Sequence, residues 1–116
     1  MKLQIEFVAN GSPKVVSRAI EEFARGQGHV TAIVVPWESD ATTLSMAVTA
    51  VRSDGWAIEH TNLGTITLTA DGDATRVAIA GHPVVDERRA KLARVLDQFA
   101  RDVQQRLEAG VGDRPQ

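Results

Sequence analysis

GTITLTADGDATRVAIAG (residues 64–81), running straight into HPVVDERRAKLARVLDQFARDVQQRLEA (82–109), is the stretch that decides the fold. Ile66, Leu68 and Ala70 alternate with Thr65, Thr67 and Thr69, the period of a strand with one face buried. Asp71-Gly72 reads as a two-residue hairpin turn, because glycine accepts the positive φ that such turns need. The chain then returns as a second strand to residue 80. Beyond His82-Pro83, the residues Leu92, Val95, Leu96, Phe99, Val103 and Leu107 recur at helical spacing and form one apolar stripe. Asp86 is placed to cap this helix, and Gly110 to end it. A helix of roughly 22 residues spans about 33 Å, enough to lie across a whole antiparallel sheet.

Working back from this hairpin, the strands repeat the pattern. Asn62-Leu63-Gly64 reads as a turn, preceded by a strand over 56–60 whose Trp56, Ile58 and His60 share a face. Ser53-Asp54-Gly55 is a further turn. In 44–51, Leu44, Met46, Val48 and Ala50 alternate with Ser45, Ala47 and Thr49. Residues 30–35, VTAIVV, form a short β-branched run that favours strand over helix, and Pro36 ends it. Residues 38–43 form a polar loop. Residues 3–9 make the first strand, with Leu3, Ile5 and Phe7 on one side and Gln4 and Glu6 on the other. Between the first two strands, Ser12 caps a helix that begins at Pro13 and ends at Gly26 and Gly28. Its buried face is Val16, Ala19, Ile20 and Phe23, with Val15 beside them. The expected fold is α+β in the order β-α-β5-α: an antiparallel curved sheet closed by a long C-terminal helix.

Composition narrows the function. The 116 residues suit one domain, 1–110, with a flexible tail at 111–116. A net charge of −2 gives no general attraction to nucleic acid or to an anionic membrane. Cysteine is absent, which excludes disulfides, thiolate catalysis and cysteine-held zinc or iron–sulfur groups. MKLQIEFVANG alternates apolar and polar residues and lacks the continuous apolar run of a signal peptide, so a cytoplasmic location is expected. No apolar run approaches the roughly 20 residues of a membrane span.

Motifs that carry chemistry are sparse. His29, His60 and His82 form no metal-ligand pair and lie in different elements. His29 follows Gly28 at a helix end, where a cation suits the dipole, and His82 sits in a connector. Only His60 shares a face with apolar residues, as the polar group of a pocket. Glu38, Asp40, Asp54, Asp71, Asp73 and Asp86 fall at turns and caps, and Asp71-Gly72-Asp73 lacks the other ligands of a calcium loop. Ser12, Ser39, Ser45 and Ser53 sit in no nucleophile elbow, and the glycines form no phosphate loop ahead of a helix. Arg88, Arg89, Lys91 and Arg94 interleave with acids. Glu87–Lys91, Asp97–Arg101 and Asp102–Arg106 have the i, i+4 spacing of a solvated helix face. No cofactor is implied.

The order of elements resembles the START-like, or helix-grip, superfamily (SRPBCC, polyketide cyclase-like), in the form of a short bacterial-type member. The resemblance rests on the helix opening Ser12-Pro13-Lys14-Val15-Val16 after the first strand, the meander, the penultimate pair GTITLTADGDATRV and the closing amphipathic helix. It covers nearly the whole chain. The sequence departs from the pattern between the first helix and Val30, where the family's second small helix is lacking. A TATA-box-protein-like layout shares the order and is the alternative fold. The resemblance implies a small hydrophobic ligand held between sheet and closing helix. The expected interior is Met46, Val48, Ile66, Leu68, Val77 and Ile79 with Trp56 and Ile58, under Val95 and Phe99. The candidate ligand-binding residues are Met46, Trp56, Ile58, His60, Leu68, Val95 and Phe99, and no catalytic or metal residue is assigned. Two other readings stand beside it: a protein-interaction or homodimerisation module without ligand, and a cyclase- or hydratase-like enzyme.

Overall fold

Among the described residues, five strands and two α-helices follow one another in the computed structural model: β1 (Gln4–Asn10), α1 (Pro13–Gln27), β2 (Val30–Val34), β3 (Thr43–Ser53), β4 (Ile58–Asp71), β5 (Ala74–Gly81) and α2 (Glu87–Leu107). The structure describes the backbone of residues 4–53, 58–81 and 87–108, and the side chains of 4–51, 61–81 and 93–108. Local chemistry accounts for the bounds of α1. Ser12 Oγ accepts the Val15 N–H at 3.3 Å, Pro13 opens the helix, and Gly28 ends it at φ 81°. Only Gly28 and His29 then separate α1 from β2.

The five strands form one sheet in the order β1-β5-β4-β3-β2, with every neighbouring pair antiparallel. The first strand therefore lies beside the last, and α1 carries the chain from one edge of the sheet to the other. Alternation divides the sheet into two faces. The inner face holds Phe7 and Ala9, Val30 and Ala32, Met46 and Val48, Ile66 and Leu68, and Val77 and Ile79, all buried. Both helices cover it: α1 through Val16, Ile20 and Ala24, α2 through Leu96, Phe99, Ala100 and Val103. The two helices meet where Phe23 stacks on Phe99, ring centroids 5.6 Å apart. Each large apolar side chain buried here contributes roughly 1.5–3 kcal/mol by leaving water. The outer face carries half-buried Ala47, Thr49, Thr65, Thr67, Ala78 and Ala80 instead.

One buried hydroxyl ties the layers together. Thr75 Oγ1 donates to the Gly11 carbonyl at 2.7 Å, and the Gly11 N–H donates to the Asp73 carbonyl at 3.2 Å. The corner between β1 and α1 is thereby fastened to the β4–β5 hairpin.

Four sequence expectations are corrected. Among the described residues, the meander after α1 has four strands rather than five, so the order is β-α-β4-α. Asn62-Leu63-Gly64 does not turn the chain; β4 runs through it as a bulge. Val48 pairs with Gly64 and Thr49 with Asn62, which leaves Leu63 as the extra residue. Asn62 Oδ1 accepts the Gly64 N–H at 3.2 Å, so the side chain supplies locally a partner of the kind it supplies in a turn. Leu63 and Gly64 are both buried, as two adjacent residues can be only where the alternation slips. The hairpin turn is displaced by one residue: Asp71 pairs with Ala74, and Gly72-Asp73 are its two central positions. Gly72 has φ 63° while Asp73 does not take positive φ, the sign pattern of a type II′ turn. Val15, placed beside the buried face, is 59% exposed. Asp86, Gly110, the turn at 54–55 and the tail at 111–116 lie outside the described residues, as does the side chain of Leu92.

Candidate functional site

The residues expected to hold a ligand separate into three groups. Met46 and Leu68 come from β3 and β4, on the inner face. Both have 0% of their surface accessible, so no water-sized space touches them. Val95 and Phe99 come from α2, one turn apart, and reach the border of the core. Trp56 lies outside the described residues, and so do the side chains of Ile58 and His60. The backbone register of these last two is described: His60 pairs with Val51, and Ile58 with Ser53. The inner row of β3, Met46, Val48 and Ala50, is instead continued opposite Ala50 by Thr61. The bulge at Leu63 is the reason, because one extra residue exchanges the two faces of everything before it.

Val95 and Phe99 border a groove of about 300 Å³ at the end of the sheet where β2 begins. Val30 faces them from β2, and Gln27 and His29 close the side where α1 ends. Arg94, Gln98 and Asp102 complete the rim along α2. The floor is thus apolar, and the rim carries both charges and two amides. His29 Nδ1 lies 3.1 Å from the Gln27 carbonyl, and Gln98 Nε2 donates to Asp102 Oδ1 at 2.9 Å. The His60 backbone lies at this same end of the sheet. Val51, its partner, donates its N–H to the His29 carbonyl at 2.9 Å on the other side.

The polar face of α2 differs from expectation in one pair. Asp97 and Arg101 pair as foreseen, at 3.0 Å. Arg106 does not pair with Asp102; its guanidinium sits 4.6 Å over the Phe23 ring. The stacking of Phe23 on Phe99 leaves the outer π-face of Phe23 for a cation, and Asp102 is served by Gln98. The side chains of Glu87 and Lys91 lie outside the described residues, as does His82.

Sequence reasoning missed the rim. Gln27 and Val30 looked like a helix end and a strand start, and nothing local showed that α2 would pass over both. Arg94, Gln98 and Asp102 carried a faint signal, since i, i+4, i+8 places them on one side of the helix, next to the apolar stripe. A second groove, of about 510 Å³, lies between the start of α1 and the β2–β3 connection. Pro13, Ser17, Val34 and Leu44 line it beneath Lys14 and Arg18. Close by, Asp40 Oδ1 accepts the N–H groups of Thr42 (2.8 Å) and Thr43 (2.9 Å) and the Thr42 hydroxyl. These bonds, the Thr42 N–H first, hold its carboxyl below the ordinary range.

Among the described residues, no three His, Asp or Glu side chains gather as a metal site. Among the same residues, no helix is long and apolar enough to cross a membrane. Comparison with family models and with curated proteins gives no match.

Proposed function

We propose that this chain is a small helix-grip domain that binds a small amphipathic ligand in the groove between α2 and the start of β2. The observation that carries the reading is the meeting of Val95 and Phe99 of the closing helix with Val30 across a groove of about 300 Å³. An apolar floor with a few convergent polar groups is the usual make-up of a small-molecule site. The apolar part of the ligand lies on Phe99, Val95 and Val30, while Arg94, His29 and Asp102 orient its polar end. The sheet order, with β1 beside β5 and both helices on one face, is compatible with the helix-grip reading. The packed surroundings of Met46 and Leu68 favour a ligand seated at the rim over one enclosed at the centre of the sheet.

A panel of fatty acids, sterols and aromatic polyketides, read by thermal shift and by tryptophan fluorescence in a Trp37→Phe background, tests this. A bound ligand raises the melting temperature by mass action. Val95→Trp fills the groove from a half-exposed position; it should abolish that shift while the ligand-free melt stays cooperative. Absence of a shift with every ligand, or an undiminished shift in Val95→Trp, ends this reading and leaves the protein-interaction module.

A further inference from the structure

The groove leaves the opposite side of the sheet unused, and that side has the make-up of an interface. Cross-strand register sets Ala80, Thr65 and Ala47 in one row and Ala78, Thr67 and Ser45 in the next. All six are half-buried and none is charged. Among the described residues of this face, charges appear only towards one end and edge: Glu6 on β1, and Arg76, which pairs with Asp71 at 3.7 Å. The other edge is apolar. Ile33 on β2 is 58% exposed, and Trp37, in the 3-10 turn (Pro36–Glu38) directly after β2, is 83% exposed. An uncharged centre with aromatic and aliphatic residues at its side is how protein interfaces differ from the rest of a surface.

We infer that two copies of this chain pack through these outer faces, sheet on sheet. This goes beyond the ligand reading and does not depend on it. The area fits a second copy. Five strands about 4.8 Å apart, with about eight residues at about 3.3 Å rise, present roughly 600 Å² per copy. A standard interface buries roughly 800 Å² per partner, and the exposed Trp37, directly after β2, lies beside this area. The charge fits too. Among the described outer-face side chains Arg76 is the one basic residue, and it pairs with Asp71, so these side chains offer no free cation to a phosphate. A second copy brings the same uncharged centre. Thr and Ala on both sides allow two sheets to approach within the roughly 10 Å of a packed pair.

Sedimentation equilibrium over a concentration series, from low micromolar to about 1 mM, tests this. The wild-type chain should dimerise in that range. Thr67→Lys and Ala78→Glu each place a charge at the centre of the face, from half-exposed positions that leave the core untouched. Each should raise the dimer dissociation constant at least tenfold while the melt stays cooperative. Because the chain has no cysteine, Thr67→Cys and, on the exposed side of α2, Gln105→Cys can each carry one spin label. The Thr67 labels should lie closer together across the dimer than the Gln105 labels. A monomer up to 1 mM, a dimer that both charge variants leave intact, or the closer approach at Gln105 overturns the inference.

Discussion

Two stretches of this chain carry the same turn chemistry and end differently. Asn62-Leu63-Gly64 and Asp71-Gly72-Asp73 each join an Asx side chain to a glycine between β-branched runs. At Gly72 the chain reverses, with φ 63° and open space where a Cβ would stand. At Gly64 it keeps going, and a Cβ there would run into the Ala80 carbonyl and stand 3.0 Å from Gly81 Cα and Leu96 Cδ2. One glycine serves a backbone angle; the other serves the close approach of β5 and α2. Composition marks that the chain needs something unusual at such a place, and the neighbours decide whether it is a turn or a bulge.

Substitution should separate the two. Gly64→Ala is expected to have the largest effect, about 3 kcal/mol or more, because backbone of β5 and the packed Leu96 must both move; urea melts measure it. Loss below about 1 kcal/mol would mean that α2 does not rest on the bulge. Leu63→Ala should cost about 3 kcal/mol, as the residue that the bulge turns into the core. A loss near zero would put Leu63 back in an exposed turn. Gly72→Ala should cost about 1–2 kcal/mol through its positive φ alone, and Gly72→Asn less, since asparagine tolerates that region better. The same Asn substitution at Gly64 should bring no relief, because space rather than angle is lacking there. Asn62→Ala removes the bond to the Gly64 N–H and should cost roughly 0.5–1.5 kcal/mol.

The smallest effect concerns a third Asx turn, at Asp40. Its carboxyl titrates lower in the folded chain than unfolded, so its contribution is fully present above the ordinary carboxylate range. It is lost as pH falls through the depressed folded value. Asp40→Asn should flatten that acid limb slightly and leave stability at neutral pH little changed. A steeper acid limb in Asp40→Asn would contradict the hydrogen-bonding assigned to Thr42 and Thr43.

Much of the inner layer was readable from alternation. Met46, Val48, Ile66, Leu68, Val77 and Ile79 were assigned to one face by period two, and Leu96, Phe99 and Val103 by helical spacing; all are buried. Ser12, Pro13 and Gly28 marked the ends of α1 by their own conformational preferences. The site was less readable. Met46 and Leu68 belonged to the right face but to its closed part, and the groove took Gln27 and His29 of its rim and Val30 of its floor from the place where α1 hands over to β2.

The sequence by itself determined the features that depend on a residue and its near neighbours: the main helices and strands, the buried side of the strands away from the bulge and of both helices, the caps of α1, and the absence of thiol chemistry. Tertiary structure alone decided the features that need two distant segments at once. The bulge at Leu63 exists because β3 pairs on both sides of it and Leu96 lies above Gly64. Arg106 leaves Asp102 because α1 brings Phe23 within its reach. The groove exists because α2 crosses the sheet where α1 ends. Periodicity carries no term for such meetings, which are set by the packing of one layer on another.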